Sequence, residues 1–555
     1  MNSPRTLIIG LDGATFDLIE PWVQAGYLPN FARLMAQGTY GPLQVWPNLN
    51  SATSWSSIVT GYNPGLHGIF NFGDAPPQRG TKWRPITAAD RRKDPFWRLL
   101  SAAGQQVGVI NVPISYPADP VNGFILAGMD TPGLLSSRFA HPPDLLNELH
   151  REGINYVIDV PKLGVLSRRN PHHLPQSVKR MVDARSRTIL HLMQTRPWDM
   201  MMAVFVATDR VQHCYWPEGE VPLENPDWSP ILSLYQQIDL FFSDVLELID
   251  ENTTVLVVSD HGFGPAHSAM PCLNLLFAQL GLLRYYQGRS RLEGRFLENL
   301  LFYGRRIIPP RFQNPLSRVL PRLHLHAIME SKFSGIEWSK TQVFAEPYEG
   351  RIFINLQGRE PEGIVSAKEY HSLCERVRDI LLKLTDPESG ASVVRAIYRP
   401  EDLYHGPYAK NTADLVVEWD EEVLRDALCY HGEGKPIIIQ MSKRMGGSSR
   451  WRGSHRSKGI FIAFGPHIKQ GATITNATLY DITPTILYLQ DHPIPKDMDG
   501  RVLTDIFTND YLSHHPIHQS ESSDIKWEGA TGAATLDAEE ARKIEERLRG
   551  LGYIE

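Results

Sequence analysis

Three aspartates each close a short hydrophobic run. Asp12 ends Leu7-Ile8-Ile9-Gly10-Leu11, Asp209 follows Met202-Ala203-Val204-Phe205-Val206, and Asp260 follows Val255-Leu256-Val257-Val258. Such runs read as buried strands. In an open parallel α/β sheet, ligands bind beyond the carboxyl ends of the strands. Three carboxylates on one sheet edge would make a cation site. Two of them have histidines at ligand spacing: His213 lies four residues after Asp209, and His261 directly follows Asp260. Positions i and i+4 share a face if the chain is helical there. Mixed His/Asp ligation suits zinc, and also manganese or iron.

The stretch from Pro47 to Gly68, PNLNSATSWSSIVTGYNPGLHG, supplies a nucleophile candidate. Ser51 begins a helix-like segment, Ala52 to Val59, that ends at Thr60-Gly61. A hydroxyl at a helix N-terminus faces free N–H groups and the positive end of the dipole, which favour an anion such as phosphate. Taken alone, Ser51 reads as an N-cap. Plain readings exist for the others too. Asp12 can form a turn with Gly13, Asp209 can pair with Arg210, and Asp260-His261-Gly262 can be a loop. His455 can be a surface residue among Arg450, Arg452, Arg456 and Lys458. Their occurrence together, in this order and at strand ends, favours the metal site.

The set resembles the alkaline phosphatase superfamily: an early strand-end Asp, a Ser or Thr some forty residues on, D-x-x-x-H, D-H and a late G-x-H. Here these are Asp12-Gly13, Ser51, Asp209-x-x-x-His213, Asp260-His261 and Gly453-Ser454-His455. Thr60-Gly61 and Pro64-Gly65-Leu66-His67-Gly68-Ile69 resemble the type I phosphodiesterase/nucleotide pyrophosphatase branch. The resemblance runs from Asp12 to about residue 510. It implies two divalent metals, usually zinc, one held by Asp209, His213 and His455 and the other by Asp12, Ser51, Asp260 and His261. It implies hydrolysis of a phosphodiester or pyrophosphate through a phospho-serine on Ser51, with two metals about 4 Å apart clamping the attacking and leaving oxygens. The substrate it implies is a small phosphate ester, a nucleotide or another diester. A phosphomonoesterase or phosphomutase of the same superfamily is the alternative, and a non-catalytic metal-binding interaction protein a third reading. The sulfatase signature is missing, since Ser51 is followed by Ala52-Thr53-Ser54-Trp55. Many nucleotide pyrophosphatases place an Asn after the nucleophile. None lies between Ser51 and Thr60, where Thr53 and Ser54 are the polar side chains. His67 and His267 stay outside the metal sites, and Tyr215 and Trp216 read equally as pocket wall or core.

These residues need a scaffold, and the chain has room for several units: 555 residues, 42% hydrophobic and 21% charged. Helix-like and strand-like segments alternate. Strands are expected at 6–12, at 107–112 and before Asp209 and Asp260, with helices over Pro175–Gln194 and Ile231–Asp250. This predicts a doubly wound, mostly parallel, alkaline phosphatase-like α/β sheet with a helical cap insertion. The expected units are a first core part over 1–274, a helical cap over 275–335 and a second core part over 336–510 carrying His455. A linker over 511–530 and an amphipathic helix over 531–555 follow, the helix capped by Asp537 and Glu540 and stopped by Gly550. A net charge of −6 gives no reason to expect a nucleic-acid polymer. Four cysteines without a CxxC pair give no disulfide framework. With no apolar run near the roughly 20 residues of a membrane span and no room for a signal peptide before Thr6, a cytoplasmic location is expected.

Overall fold

The strands of the main sheet are written in the sequence as unbroken apolar runs. Thr253–Val258 (TTVLVV) and Met200–Phe205 (MMMAVF) are buried at every position, as expected of parallel strands covered on both faces. A computed structural model describes residues 4–45, 49–73, 84–217, 230–266, 273–286, 335–346, 350–423, 427–440, 452–521 and 536–551. In chain order the first strands are β1 (Arg5–Leu11), β2 (Thr39–Gln44), β3 (Val107–Ile110), β4 (Gly123–Leu126), β5 (Ala140–His141), β6 (Met200–Phe205), β7 (Thr253–Val258) and β8 (Gly262–Pro265). Then come β9 (Val343–Ala345), β10 (Arg351–Ile354), β11 (Leu384–Thr385), β12 (Val394–Tyr398), β13 (Leu415–Trp419), β14 (Ala427–Tyr430) and β15 (Ile437–Gln440). The last ones used here are β16 (Gly453–Arg456), β17 (Lys458–Phe464) and β18 (Ala472–Thr473).

The main sheet runs β18-β2-β17-β7-β1-β6-β3-β4-β5. Its centre is parallel. Leu11 is level with Phe205, and Gly10 is level with Val204 on one side and Val258 on the other. The three runs before Asp12, Asp209 and Asp260 are therefore adjacent strands ending together. β17 enters antiparallel beside β7, Phe461 opposite Val258, so its first residues lie where β7 ends. β16 pairs with β8, which puts His455 opposite Phe263. The strand expected at 107–112 stops at Ile110 because Asn111 takes a positive φ of 60°. The two long helices are Gln176–Thr195 and Pro230–Leu248.

The stretch expected as the second core part divides in two. Residues from Leu273 to Ile439 form a hydrophobic cluster of their own, separate from the main core. It includes the antiparallel sheets β12-β13-β10-β9 and β11-β14-β15 and the helix Ala367–Leu381. Among the described residues, the chain rejoins the main sheet with β17. Most of the expected helical cap, 287–334, lies outside the described residues. The flanking parts carry the helix Leu273–Gln279 and the bridge of Tyr285 to Ile336, both packed on the second cluster.

The linker expected over 511–530 starts too early. Asn509–His514 is helical, and Tyr511 stacks between the rings of His467 (4.3 Å) and His515 (4.1 Å). Ring stacking orders this segment without any hydrophobic periodicity. Gly550 does not stop the last helix, which runs Ala538–Leu551. The glycine sits beside Pro161 instead, where a Cβ would lie 3.6 Å from the Pro161 Cβ. The Asp537/Glu540 pair does cap the helix, with Glu540 N donating to Asp537 Oδ1 at 2.7 Å. Among the described residues, no helix is long and apolar enough to cross a membrane.

One buried carboxylate locks helix to helix on the side of the sheet. Asp239, 3% exposed, accepts from Phe31 N at 2.9 Å, Asn30 N at 3.0 Å and Asn30 Nδ2 at 2.9 Å. It supplies the cap that the helix Pro29–Ala36 lacks from its own Leu28. Asp239→Ala is expected to destabilise the fold by about 2–3 kcal/mol, the range for bonds to a charged group. Urea unfolding of both proteins at pH 7 measures this, and a change below about 0.5 kcal/mol would contradict it.

Candidate active site

Ser51 opens the helix Ser51–Thr60 but does not cap it. The cap is Asn50, whose side-chain oxygen accepts Ala52 N at 3.0 Å. That leaves the Ser51 hydroxyl for the sheet edge. Its Oγ lies 3.2 Å from His261 Nε2 at 1% exposure.

Asp12, Asp209 and Asp260 are fully buried, and the structure brings them to one place with Ser51, His213, His261 and His455. Asp12 lies in a turn with Gly13 as well as at the site. Its Oδ2 accepts Trp55 Nε1 at 3.0 Å. Gly10 makes space for that ring, since a Cβ there would sit 2.5 Å from Trp55. Gly13 N donates to Asp260 Oδ1 at 3.2 Å. Asp12 Oδ1 and Asp260 Oδ2 have no hydrogen-bond partner. Both face His261 Nε2, at 3.6 and 3.4 Å. Carboxylate oxygens buried this way are costly unless neutralised.

The three histidine rings are fixed alike. His213 Nδ1 donates to Gly453 O at 2.8 Å, His261 Nδ1 to Gly262 O at 2.9 Å and His455 Nδ1 to Leu49 O at 2.7 Å. In the neutral ring these bonds assign the tautomer and leave each Nε2 as a lone pair aimed inward, the usual support of a ligating histidine. His213 Nε2 and His455 Nε2 are 3.0 Å apart, and each is 3.2 Å from Asp209 Oδ1. Two lone pairs at that distance require a proton or a cation between them. The donor atoms of Asp209, His261 and His455 lie within 4.8 Å of one another, as do those of Asp12, Asp260 and His261. His261 thus stands at the boundary of both groups. This donor set fits divalent cations.

Charge decides the remaining details. Burial, then the charges of Asp260 and Asp209, push Asp12 well above the carboxylate range. Burial also pushes Asp209 up, but His213, His455 and Arg210 outweigh it and hold it well below that range. Asp209 does pair with Arg210, through Oδ2 at 2.9 Å, while Oδ1 faces the histidines. The sequence posed these as alternatives; the two oxygens do both.

Other residues sort themselves by contact. His67 accepts Ile69 N at Nδ1 (3.1 Å) and donates from Nε2 to Ser57 Oγ (3.0 Å), and burial drops its pKa to about 3. It is a neutral brace of the helix Ser51–Thr60. Trp216 packs on Phe263, which lies edge-on to His213 with ring centroids 4.8 Å apart. Tyr215 is buried at the end of the helix Ala207–Tyr215, and His267 lies outside the described residues. Sequence reasoning missed Trp55, Asn50 and Asn71. Asn71 Oδ1 accepts Asn50 Nδ2 at 3.0 Å and Phe72 N at 2.8 Å. An asparagine thus does lie by the helix start, from beyond the P-x-x-H-G-I turn, bonded to Asn50.

Burial, reinforced by Asp209, pushes Asp260 up to about 8 in the cation-free site. The unfolded chain releases that proton near pH 4. Between those values the folded state binds more protons, so this group makes the cation-free fold less stable as pH rises. A divalent cation favours the ionised form and removes the penalty. The rise in Tm on adding zinc is therefore expected to be larger at pH 8.5 than at pH 6, with thermal unfolding in chelator as the reference. An equal rise at both pH values would contradict it.

The profile of the type I phosphodiesterase / nucleotide pyrophosphatase family matches residues 6–425. No curated protein sequence matches the chain. Among solved structures, murine ectonucleotide pyrophosphatase / phosphodiesterase 5 is similar with a TM-score of 0.49 at 12% identity, over 91% of this chain and 100% of that one. Phosphonoacetate hydrolase from Sinorhizobium meliloti 1021, in complex with phosphonoformate, is similar with a TM-score of 0.48 at 14% identity, over 88% of this chain and 95% of that one. With Ser51, the three strand-end aspartates, His213 and His261 inside the matched span, the chain belongs to the type I phosphodiesterase/nucleotide pyrophosphatase family of hydrolytic enzymes.

Proposed function

We propose that the protein cleaves phosphodiester or pyrophosphate bonds of a small-molecule ester, through a phospho-serine on Ser51 and with two divalent cations, zinc foremost. Asp209, His213 and His455 would hold one cation, and Asp12, Ser51, Asp260 and His261 the other. The observation that carries this reading is the gathering of the His213, His261 and His455 Nε2 atoms with two unpartnered carboxylate oxygens in one buried cluster, with the Ser51 hydroxyl 3.2 Å from His261. Bound divalent cations lower the pKa of a ligated hydroxyl and neutralise phosphoryl charge.

The chain's own groups supply the rest. The Ser51 hydroxyl lies 3.2 Å from His261 Nε2 and would release its proton to the carboxylates of the cluster. Oγ forms the new bond to phosphorus while the bond to the leaving oxygen breaks in line. Water then cleaves the phospho-serine and restores Ser51. The helix N-terminus directs N–H groups and a positive dipole end at the phosphoryl group. Asn71, held by Asn50, offers its amide N–H groups beside them. Such positioning and charge stabilisation are what phosphoryl transfer chiefly requires.

Bis(p-nitrophenyl) phosphate and p-nitrophenyl phosphate, each assayed with and without chelator, test the reading. Diester turnover abolished by chelator and restored by zinc or manganese is expected. Ser51→Ala should lose at least about 10³-fold in kcat, since removing a nucleophile costs the chemical step, and Ser51→Thr should keep activity. Turnover by Ser51→Ala at the wild-type rate would remove the nucleophile assignment, and a strong preference for the monoester would move the function to phosphomonoester hydrolysis.

A further inference from the structure

Arg210 lies in a buried chain of contacts that leads away from the site. Its Nη1 donates to Asp209 Oδ2 at 2.9 Å, its Nε to Asp159 Oδ2 at 3.2 Å and its Nη2 to Met129 S at 3.2 Å. The arginine and both aspartates are at most 5% exposed. Tying down Oδ2 turns Oδ1 of Asp209 toward His213 and His455. Asp159 balances the guanidinium charge, so that Asp209 keeps its negative charge for a cation.

Both anchors of Arg210 sit in loops that the last helix, Ala538–Leu551, holds in place. Next to Met129, Thr131 O accepts Arg547 Nε at 3.1 Å. Next to Asp159, Lys162 N donates to Gly550 O at 2.9 Å, and Pro161 faces Gly550. Glu540 pairs with Arg138 and accepts Tyr116 OH at 2.8 Å. Ile544, Leu548 and Leu551 enter the main core. Asp159 also acts on Arg547 through its charge. The helix is remote from the catalytic residues in sequence, and simple packing explains its apolar face but not two contacts that fall on the two loops gripping Arg210.

We infer that Arg210 is a positioning residue for Asp209, and that the C-terminal helix is the brace that keeps it in position. This rests on the reading of Asp209 as a cation ligand given above.

The test is zinc stoichiometry and affinity, measured by competition with a chromogenic chelator well below the unfolding temperature of each full-length protein. Arg210→Met is expected to weaken one of two zinc equivalents by about 10- to 100-fold, the usual cost of losing a ligand's support. Arg547→Ala and Leu548→Asp, which loosen the helix, should weaken the same equivalent by roughly 2- to 30-fold. The other equivalent, which Asp209 does not hold, should be weakened less than this one. If Leu548→Asp does not fold, Arg547→Ala decides. Wild-type affinity for both equivalents in Arg547→Ala, beside weakening in Arg210→Met, would overturn the role of the helix. Unchanged binding in Arg210→Met would overturn the whole inference. A wild type that binds no zinc, with Asp209→Asn behaving identically, would instead bring down the metal-site reading itself.

Discussion

Three carboxylates without solvent exposure at one sheet edge are the constraint from which most of this molecule follows. Like charges so placed repel, and each lacks the water that would screen it. The chain answers with fixed partners: Trp55 on Asp12, Gly13 N on Asp260, and Arg210 with two imidazoles on Asp209. Asp12 Oδ1 and Asp260 Oδ2 receive no such partner. The fold thus accepts a local cost at the place where a cation would remove it, which is the usual location for a broken packing rule.

The sheet's direction makes the arrangement possible. Three parallel neighbours, β7, β1 and β6, end together and deliver one aspartate each. A fourth parallel strand would bring its histidine in at the wrong edge if the histidine preceded it. His455 precedes β17, and β17 runs antiparallel, so the start of β17 meets the end of β7. The pairing of β16 with β8 then lays the His455 ring 3.6 Å from His261 in a stacked arrangement. An excursion through a second hydrophobic core separates Asp260 from His455 in sequence, and strand polarity closes the distance.

Much of this was legible in the sequence. The apolar runs before Asp12, Asp209 and Asp260 were long and uninterrupted, and strand ends in a parallel sheet share an edge. Spacing likewise paired Asp209 with His213 on one helix face. Less legible were the residues that serve these through space. Asn50 precedes Ser51 directly, yet only the backbone angles show which of the two is the cap. Trp55 looks like core until Gly10 is seen beneath it, and Asn71 lies beyond a turn whose fold-back no periodicity announces. Asp239 in a long amphipathic helix reads as a polar-face residue, although it caps a helix more than two hundred positions away. What no local pattern announces is that the residues from Leu273 to Ile439 pack as a hydrophobic cluster of their own.

The two candidate cation groups share one residue. His261 Nε2 lies 3.2 Å from Ser51 Oγ, 3.4 Å from Asp260, 3.6 Å from Asp12 and 4.0 Å from Asp209. It is therefore within reach of both groups, and its ring stacks on His455 from the other one. A charge gained on either side changes the field felt by the same imidazole, so the two groups are electrostatically coupled and their titrations belong to the cluster rather than to single residues. A rigid frame is then required, because a displacement of one of these side chains changes the field at the others. That frame is the three central strands, whose register permits no slip without turning every buried side chain to the opposite face.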